Sequence, residues 1–204
     1  MTEDESGDRP NADIYRAPDA ELLAEPGLEP EFYVVAPRKF LLLYLGTWGL
    51  YEVYWFYRHW RLYRDWHDLK LWPVPRAIFS IIFAYPLFRR IANRGSETGS
   101  GQWSAGWYAV AYVVLYMVGN FSEFPKPGPN SVIQLASTMI PMFLLAALLY
   151  RVQRCANLAC GDSDGESNCH YTGVNYLWLL VGTLLWLGTL ATIAELFGFV
   201  EFGG

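Results

Sequence analysis

Val132–Tyr150 is a run of nineteen residues without a charge, and it is followed by Arg151 and Arg154. A helix of that length is about 28 Å long, close to the roughly 30 Å of a bilayer's hydrocarbon core. Pro141 would kink such a helix, which membrane helices tolerate because neighbouring groups satisfy the freed carbonyl. The run therefore predicts a transmembrane helix.

Two further stretches predict spans of the same kind. Trp103–Gly119 has no charge and is rich in small and aromatic residues. Tyr176–Phe199 is longer and contains Gly182 and Gly188, which would let a neighbouring helix approach closely. Hydrophobic residues make up 53% of the chain and charged residues only 17%. These features predict an all-α fold, a polytopic integral membrane bundle with three spans.

Phe40–Tyr57 is an apolar run of eighteen residues interrupted by Glu52, with the sequence Gly46–Gly49 at its middle. A straight helix of this length is about 27 Å long, barely enough to cross the hydrocarbon core. Cations such as Lys39 and Arg58 flank both ends. Because cytoplasmic loops collect Lys and Arg, this pattern favours a re-entrant hairpin that turns at the glycines. A straight span is the alternative.

Ala77–Phe88 is a second short apolar segment, twelve residues long, with Pro86 inside it. At about 18 Å it is too short to span, so it is predicted to be re-entrant, interfacial or packed within the bundle.

The residues after Tyr57 predict a helix lying along the membrane surface. Arg61 and Asp65 are spaced i,i+4, which suits an ion pair on an exposed helical face. His59 and His67 fall on the same helix and are interpreted as interface polar residues.

The N-terminal segment differs in charge from the rest of the chain. Residues 1–31 contain ten acids and two bases, a net charge of −8, and the whole chain has −5, so the remainder is +3. With four prolines and few large apolar residues, this segment is predicted to be disordered. The predicted organisation is a disordered acidic tail over residues 1–36 and a helical membrane domain over 37–204. An acidic tail on a weakly basic apolar body excludes a nucleic-acid binder, which needs a basic stripe.

Counting cations predicts the orientation. If both short segments enter and leave on one side, twelve of the thirteen Lys and Arg residues after the tail lie on that side, and only Lys126 lies opposite. The other arrangements divide the cations more evenly. The positive-inside rule then places this side, and the tail, in the cytoplasm.

A resemblance appears within the hairpin candidate. Residues 47–55 read Thr-Trp-Gly-Leu-Tyr-Glu-Val-Tyr-Trp, and Arg38-Lys39-Phe40 precedes them. This string is similar to the Thr-x-Gly-Ile/Leu-Tyr-x-x-Tyr-Trp motif of uncharacterised bacterial inner-membrane proteins, which are domains of unknown function. The resemblance implies a multi-pass protein of the bacterial inner membrane and implies no chemistry.

Glu52 and Glu195 are the acids inside apolar segments. Acids within a membrane are costly and often mark ion or proton paths. The predicted topology puts these two in opposite leaflets, so a direct carboxylate pair is not expected. Both are interpreted as acids that reach the interface and hydrogen-bond Tyr or Thr hydroxyls.

The residues after the predicted span Val132–Tyr150 include potential metal ligands. Cys155, Cys160, Cys169 and His170 form a C-x4-C-x8-C-H pattern that could complete a tetrahedral zinc site. The pattern lacks a C-x-x-C pair, so no metal site is predicted and these four residues remain candidates. The acids of Asp162–Glu166 are interpreted as a solvated loop rather than a calcium loop.

The sequence contains no phosphate-binding glycine loop, no Gly-x-Ser-x-Gly and no His-Glu-x-x-His. We therefore expect no catalytic residue and no cofactor. The predicted function is a non-enzymatic accessory or scaffold protein, with membrane lipids as partners and other membrane proteins or further copies of the chain as candidates. A subunit of a small oligomeric channel or transporter is the first alternative. A thiol or zinc sensor built on the 155–170 loop is the second.

Overall fold

The computed structural model describes residues 30–99, 102–121 and 132–197. These residues form seven α-helices, and no strand occurs among them, which confirms the all-α class. The helices are α1 (Pro37–Gly46), α2 (Tyr51–Trp66), α3 (Pro73–Ile78), α4 (Ser80–Glu97), α5 (Ala105–Phe121), α6 (Val132–Ala159) and α7 (Gly173–Leu196).

The chain reverses direction between α1 and α2, as the hairpin interpretation predicts. Trp48 and Gly49 adopt the left-handed backbone conformation, with φ of 56° and 80°. The ring of Phe40 then lies 6.1 Å from that of Trp55. At the other end of the hairpin, His67 Nε2 lies 2.9 Å from the carboxylate of Glu31. Both ends of the predicted segment are therefore on one side of the molecule, which we call the open end of the hairpin.

Thr47 joins the two arms at the turn, which we call the tip. Its hydroxyl donates to the carbonyl of Leu43 at 2.6 Å and accepts from the N–H of Tyr51 at 3.0 Å. One buried side chain thus satisfies a backbone group at the end of α1 and another at the start of α2, where helices leave such groups unpaired.

Residues 31–36 do not belong to a tail, so the predicted boundary at residue 36 is wrong for them. Phe32 and Val35 are completely buried. Asn157 of α6 donates to the carbonyl of Val35 at 3.0 Å and accepts from its N–H at 3.3 Å. These side-chain hydrogen bonds let an extended segment be buried without unpaired backbone groups. The rest of the predicted tail, residues 1–29, lies outside the described residues.

The Ala77–Phe88 segment is divided by a bend at Phe79, between α3 and α4. Leu87, Phe88 and Ile91 of α4 are completely buried. Ile82 of the same portion is 65% exposed, so one face of the segment packs against the protein and the other does not.

Two helices of the described chain are long and apolar enough to cross a membrane, over Leu135–Ala159 in α6 and Gly173–Ala194 in α7. The prediction of three spans is not confirmed, because α5 has only 17 residues and is about 26 Å long. The α6 helix also continues nine residues beyond its predicted end at Tyr150.

The α7 helix is attached to the rest of the molecule near its middle. Gly182 abuts Gly46 so closely that an added Cβ would overlap the Gly46 carbonyl oxygen. The indole N–H of Trp186 donates to the carbonyl of Leu45 at 2.8 Å, and its ring lies 4.9 Å from that of Trp48. The tip of the hairpin therefore lies beside the middle of α7.

Candidate functional site

Glu52 is a predicted site acid that the structure encloses within the protein. It lies in the first turn of α2, next to the tip, and only 7% of it is exposed. A buried carboxylate needs hydrogen-bond donors or a cation to offset its lost hydration. The donors come from three different helices.

Three hydroxyl groups surround the Glu52 carboxylate. Tyr112 of α5 donates to Oε1, and Ser80 of α4 lies 3.5 Å from the same oxygen. Tyr44 of α1 donates to Oε2 at 3.4 Å. Tyr112 and Ser80 are themselves 2.8 Å apart. Each hydroxyl has a single proton. Tyr112 can therefore donate to Glu52 or to Ser80, and Ser80 can donate to Glu52 when Tyr112 donates to Ser80.

A cavity of about 240 Å³ opens beside Glu52. Glu52 lines it from the hairpin and Ser80 from the start of α4, and residues of α5 and α6 line the other side. None of the described residues that line it is a Lys or Arg. The arrangement can hold a proton on the carboxylate, or a small cation or ammonium group beside it. The cavity is also lined by Tyr44, Tyr116, Asn120, Thr138, Met142 and Leu145.

The predicted hydrogen bonds of Glu52 to tyrosine hydroxyls are present, and its carboxylate is buried within the protein. Its partners Ser80 and Tyr112 are 28 and 60 residues away in the chain, so no local pattern could have identified them. Glu195 lies in the last turn of α7, and its side chain lies outside the described residues.

His59 is completely buried, so its interpretation as an interface residue is wrong. Its Nδ1 accepts from the N–H of Tyr33 at 3.3 Å, and its ring lies 4.2 Å from that of Trp55. Burial lowers the charged form's stability, so the neutral imidazole serves as an acceptor that holds the extended segment. The Arg61–Asp65 pair is present, at 3.7 Å.

The candidate metal ligands do not converge. Cys155 is half-buried on α6 and Cys169 is exposed. The Cys160 thiol lies 3.8 Å from the carbonyl of Phe32, and burial raises its pKa to about 11. Within the described part of the chain, no three His, Cys, Asp or Glu side chains are placed to hold an ion. A protonated, enclosed thiol is also a poor ligand and a poor nucleophile.

The acidic loop has a structural explanation. Asp162 accepts from the N–H of Glu166 at 2.9 Å and from that of Ser167 at 3.0 Å. Partial burial opposes the charged form of Asp162, but these hydrogen bonds outweigh it and lower its pKa below the usual range. The carboxylate therefore orders the loop between α6 and α7.

Sequence reasoning missed a set of amides that fastens the hairpin to α6. Gln153 accepts from the indole N–H of Trp55 at 2.5 Å and donates to the carbonyl of Tyr33 at 2.8 Å. Gln153 also donates to Asn157 at 2.6 Å. The available signal was two amide side chains at i,i+4 spacing beyond the apolar run, where the predicted helix had already ended.

Comparison with protein-family models, curated proteins and solved structures gives no match to this chain.

Proposed function

We propose that this chain is an integral protein of the bacterial inner membrane, without enzymatic activity, that acts as an accessory or scaffold through helix–helix and lipid contacts. One observation carries the proposal: only 6% of the apolar stretch of α7 is buried within the protein, against 33% for that of α6.

The exposed surface of α7 is apolar on all sides. Leu184 is 66% exposed, and large apolar side chains project around the whole helix. A helix that is hydrophobic all round belongs in a protein core or in lipid, and α7 is not in a core. The exposed set includes Val174, Tyr176, Leu177, Leu180, Leu184, Leu187 and Leu190.

The hydroxyl groups of α7 fit the same environment. Thr183 donates to the carbonyl of Leu179 at 2.8 Å, and Thr189 and Thr192 donate to carbonyls four residues before them at 3.1 Å. The helix thus satisfies these polar groups internally, which is the condition for contact with lipid.

The position of the hairpin supports a re-entrant arrangement. Gly182, which contacts the tip, is nine residues or about 14 Å into α7. On α6, Leu145 lies near the tip and Asn157 at the open end, twelve residues or about 18 Å away. Both distances are about half of a 30 Å hydrocarbon core. We propose that the hairpin enters one leaflet to the midplane and that α5 is the third span.

The charged residues support the cytoplasmic assignment of the open end. Lys39 contacts the loop before α7, and Arg94 pairs with Glu31 at 3.1 Å. Arg151 and Arg154 flank Gln153, which binds the extended segment near the same end. In this arrangement the cations collect on one face, as the positive-inside rule requires.

Cysteine accessibility tests the topology. In a background without native cysteines, we expect Arg38→Cys and Leu69→Cys to resist an impermeant thiol reagent in intact spheroplasts and to react once the membrane is opened. Asn120→Cys, at the C-terminal end of α5, should react in intact spheroplasts. All three positions are exposed in the described structure.

Two outcomes would contradict the proposal. Reaction of only one of positions 38 and 69 in intact spheroplasts would mean that the hairpin spans the membrane. Release of the wild-type protein from membranes by alkaline carbonate would mean that it is not an integral protein.

A second candidate, a channel or transporter subunit, is favoured by the cavity beside Glu52. The test is proton and potassium flux in liposomes, with Glu97→Gln as control because Glu97 is 67% exposed. Flux that Glu52→Gln abolishes and Glu97→Gln preserves would establish this function. Absence of flux through the wild type would leave the accessory function.

A further inference from the structure

A second cavity, of about 380 Å³, lies at the open end of the hairpin. It lies between α1, α2 and the residues that lead into α7, and it shares no lining residue with the Glu52 cavity. The side chains that matter for its chemistry are Tyr33, Lys39, Arg58, Asn168, Thr172 and Asn175.

The charge of this cavity is positive. Lys39 and Arg58 line it, and no acid is among its described lining residues. Lys39 is 3% exposed and donates to Asn168 at 2.6 Å and to the carbonyl of His170 at 2.5 Å. The charge is therefore fixed in position by neutral oxygens, and none of the described residues that line the cavity neutralises it.

Arg58 has donor capacity that the fold does not use. Its guanidinium lies over the ring of Tyr33, 5.4 Å from the ring centre. Its Nε is buried and has no hydrogen-bond partner in the described structure. A buried donor without a partner costs free energy, and an anion in the cavity would remove that cost.

The beginning of α7 adds to the same field. The helix starts at Gly173, and Thr172 and Asn175 line the cavity on either side of this start. A helix N-terminus carries partial positive charge and favours anions. Two cations and a helix N-terminus therefore face one cavity.

Exposed apolar side chains lie close in sequence to two elements that line the polar cavity. Leu42 follows Lys39 by one turn of α1 and is 48% exposed, and Val174 at the start of α7 is 60% exposed. A free anion would gain nothing from such surface. An amphiphile would place its charged group in the cavity and its chains along α7.

We propose that this cavity binds the phosphate of an anionic phospholipid, with Arg58 and Lys39 as its cationic contacts. The inference rests on the membrane location proposed above. A zwitterionic lipid fits less well, because its ammonium group would meet two cations and no acid. Basic pockets at the cytoplasmic ends of membrane helices are suited to anionic headgroups.

The test measures lipid preference in native mass spectrometry, after extraction from vesicles of equal parts phosphatidylglycerol and phosphatidylcholine. Wild type is expected to retain phosphatidylglycerol in preference. Arg58→Gln should lower that preference about five-fold, the value of one cation near a charged membrane surface. Arg89→Gln is the matched control, because Arg89 is an exposed cation of α4 outside the cavity.

A second variant tests the proposal if Arg58→Gln does not fold. Thr172→Asp puts an acid into the cavity, and Asp before a helix is a favourable N-cap, so this variant should fold. We expect it to reduce phosphatidylglycerol retention at least as much as Arg58→Gln does. Added phosphatidylglycerol should raise the unfolding temperature of the wild type in detergent and should leave that of Thr172→Asp unchanged.

Several results would overturn the proposal. Equal losses in Arg58→Gln and Arg89→Gln would indicate attraction by overall charge instead of a site. Stabilisation of the wild type by inorganic phosphate as large as that by the lipid would assign the cavity to a free anion. A wild type with no lipid preference, but resistant to alkaline carbonate, would refute the lipid site while leaving the proposed membrane location intact. Release by carbonate would remove both.

Discussion

The hairpin and α7 are built from similar residues and end in opposite environments. Both are apolar, rich in aromatics and interrupted by glycine. In the hairpin, Trp55 and Phe56 are completely buried, whereas along α7 Leu184 and Leu187 are more than half exposed. Hydrophobicity alone therefore does not determine which apolar segment enters the protein interior.

The polar groups account for the difference. The hairpin contains Lys39, Thr47 and Glu52, whose partners come from other parts of the fold or from both of its arms. The α7 helix contains threonines that bond its own carbonyls. In an apolar solvent, a segment with unsatisfied polar groups must pack against protein, and a segment without them is free to face lipid.

The largest expected effect comes from replacing a buried tryptophan, with an exposed tryptophan as the control. Trp55→Ala should lower the free energy of unfolding by about 3–5 kcal/mol, because it leaves a large cavity and removes the partner of Gln153. Trp107→Ala on α5 is the control, since Trp107 is 75% exposed, and its loss should be under about 1 kcal/mol. Denaturant titration in detergent measures both. Equal losses would mean that burial does not distinguish these positions.

The second test separates α7 from the hairpin. Gly182→Val should push α7 away from Gly46, because even a Cβ at this position overlaps the backbone. The expected loss is about 1–2 kcal/mol, the scale of a helix–helix contact in a membrane. Hydrogen exchange at residues 45–49 should accelerate, because the Trp186 hydrogen bond to Leu45 would be lost.

Gly188→Val is the matched control for that test. No atom lies within 4 Å of a Cβ added at Gly188, so exchange at the tip should be unchanged. If Gly182→Val left exchange at residues 45–49 as slow as in wild type, the contact at the middle of α7 would not fix the hairpin.

The break between α1 and α2 and the apolar cores of α6 and α7 could be predicted, because each is encoded locally. Glycines mark the reversal, and uncharged runs mark the long helices. The end of α6 was placed too early, at Tyr150, because Arg151 was taken as the edge of an apolar element. Arginine is a good helix former, so a charge ends the apolar surface without ending the helix.

The burial of residues 31–36 could not be predicted, because it depends on amides 120 or more positions away in the chain. The same holds for the site. Glu52 was identified as an acid in an apolar run, whereas Ser80 and Tyr112 reach it only through the packing of α4 and α5. The positive cavity also combines residues from both halves of the chain.

The smallest effect concerns the backbone at the tip. Gly49 has φ of 80°, where a side chain is strained, although a Cβ there would meet the Tyr44 hydroxyl oxygen at 3.7 Å and its ring carbon at 3.8 Å, which are ordinary contacts. Gly49→Ala should therefore cost about 1 kcal/mol from backbone conformation alone. Gly106→Ala is the control, because Gly106 lies in the first turn of α5 with open space around it and gains helix propensity from alanine. Unfolding in detergent should rank the variants Gly106→Ala, wild type, Gly49→Ala in decreasing stability. A Gly49→Ala protein as stable as wild type would mean that the tip can relax out of the left-handed conformation, and the reversal would then rest on the packing of Trp48 against Trp186 rather than on glycine.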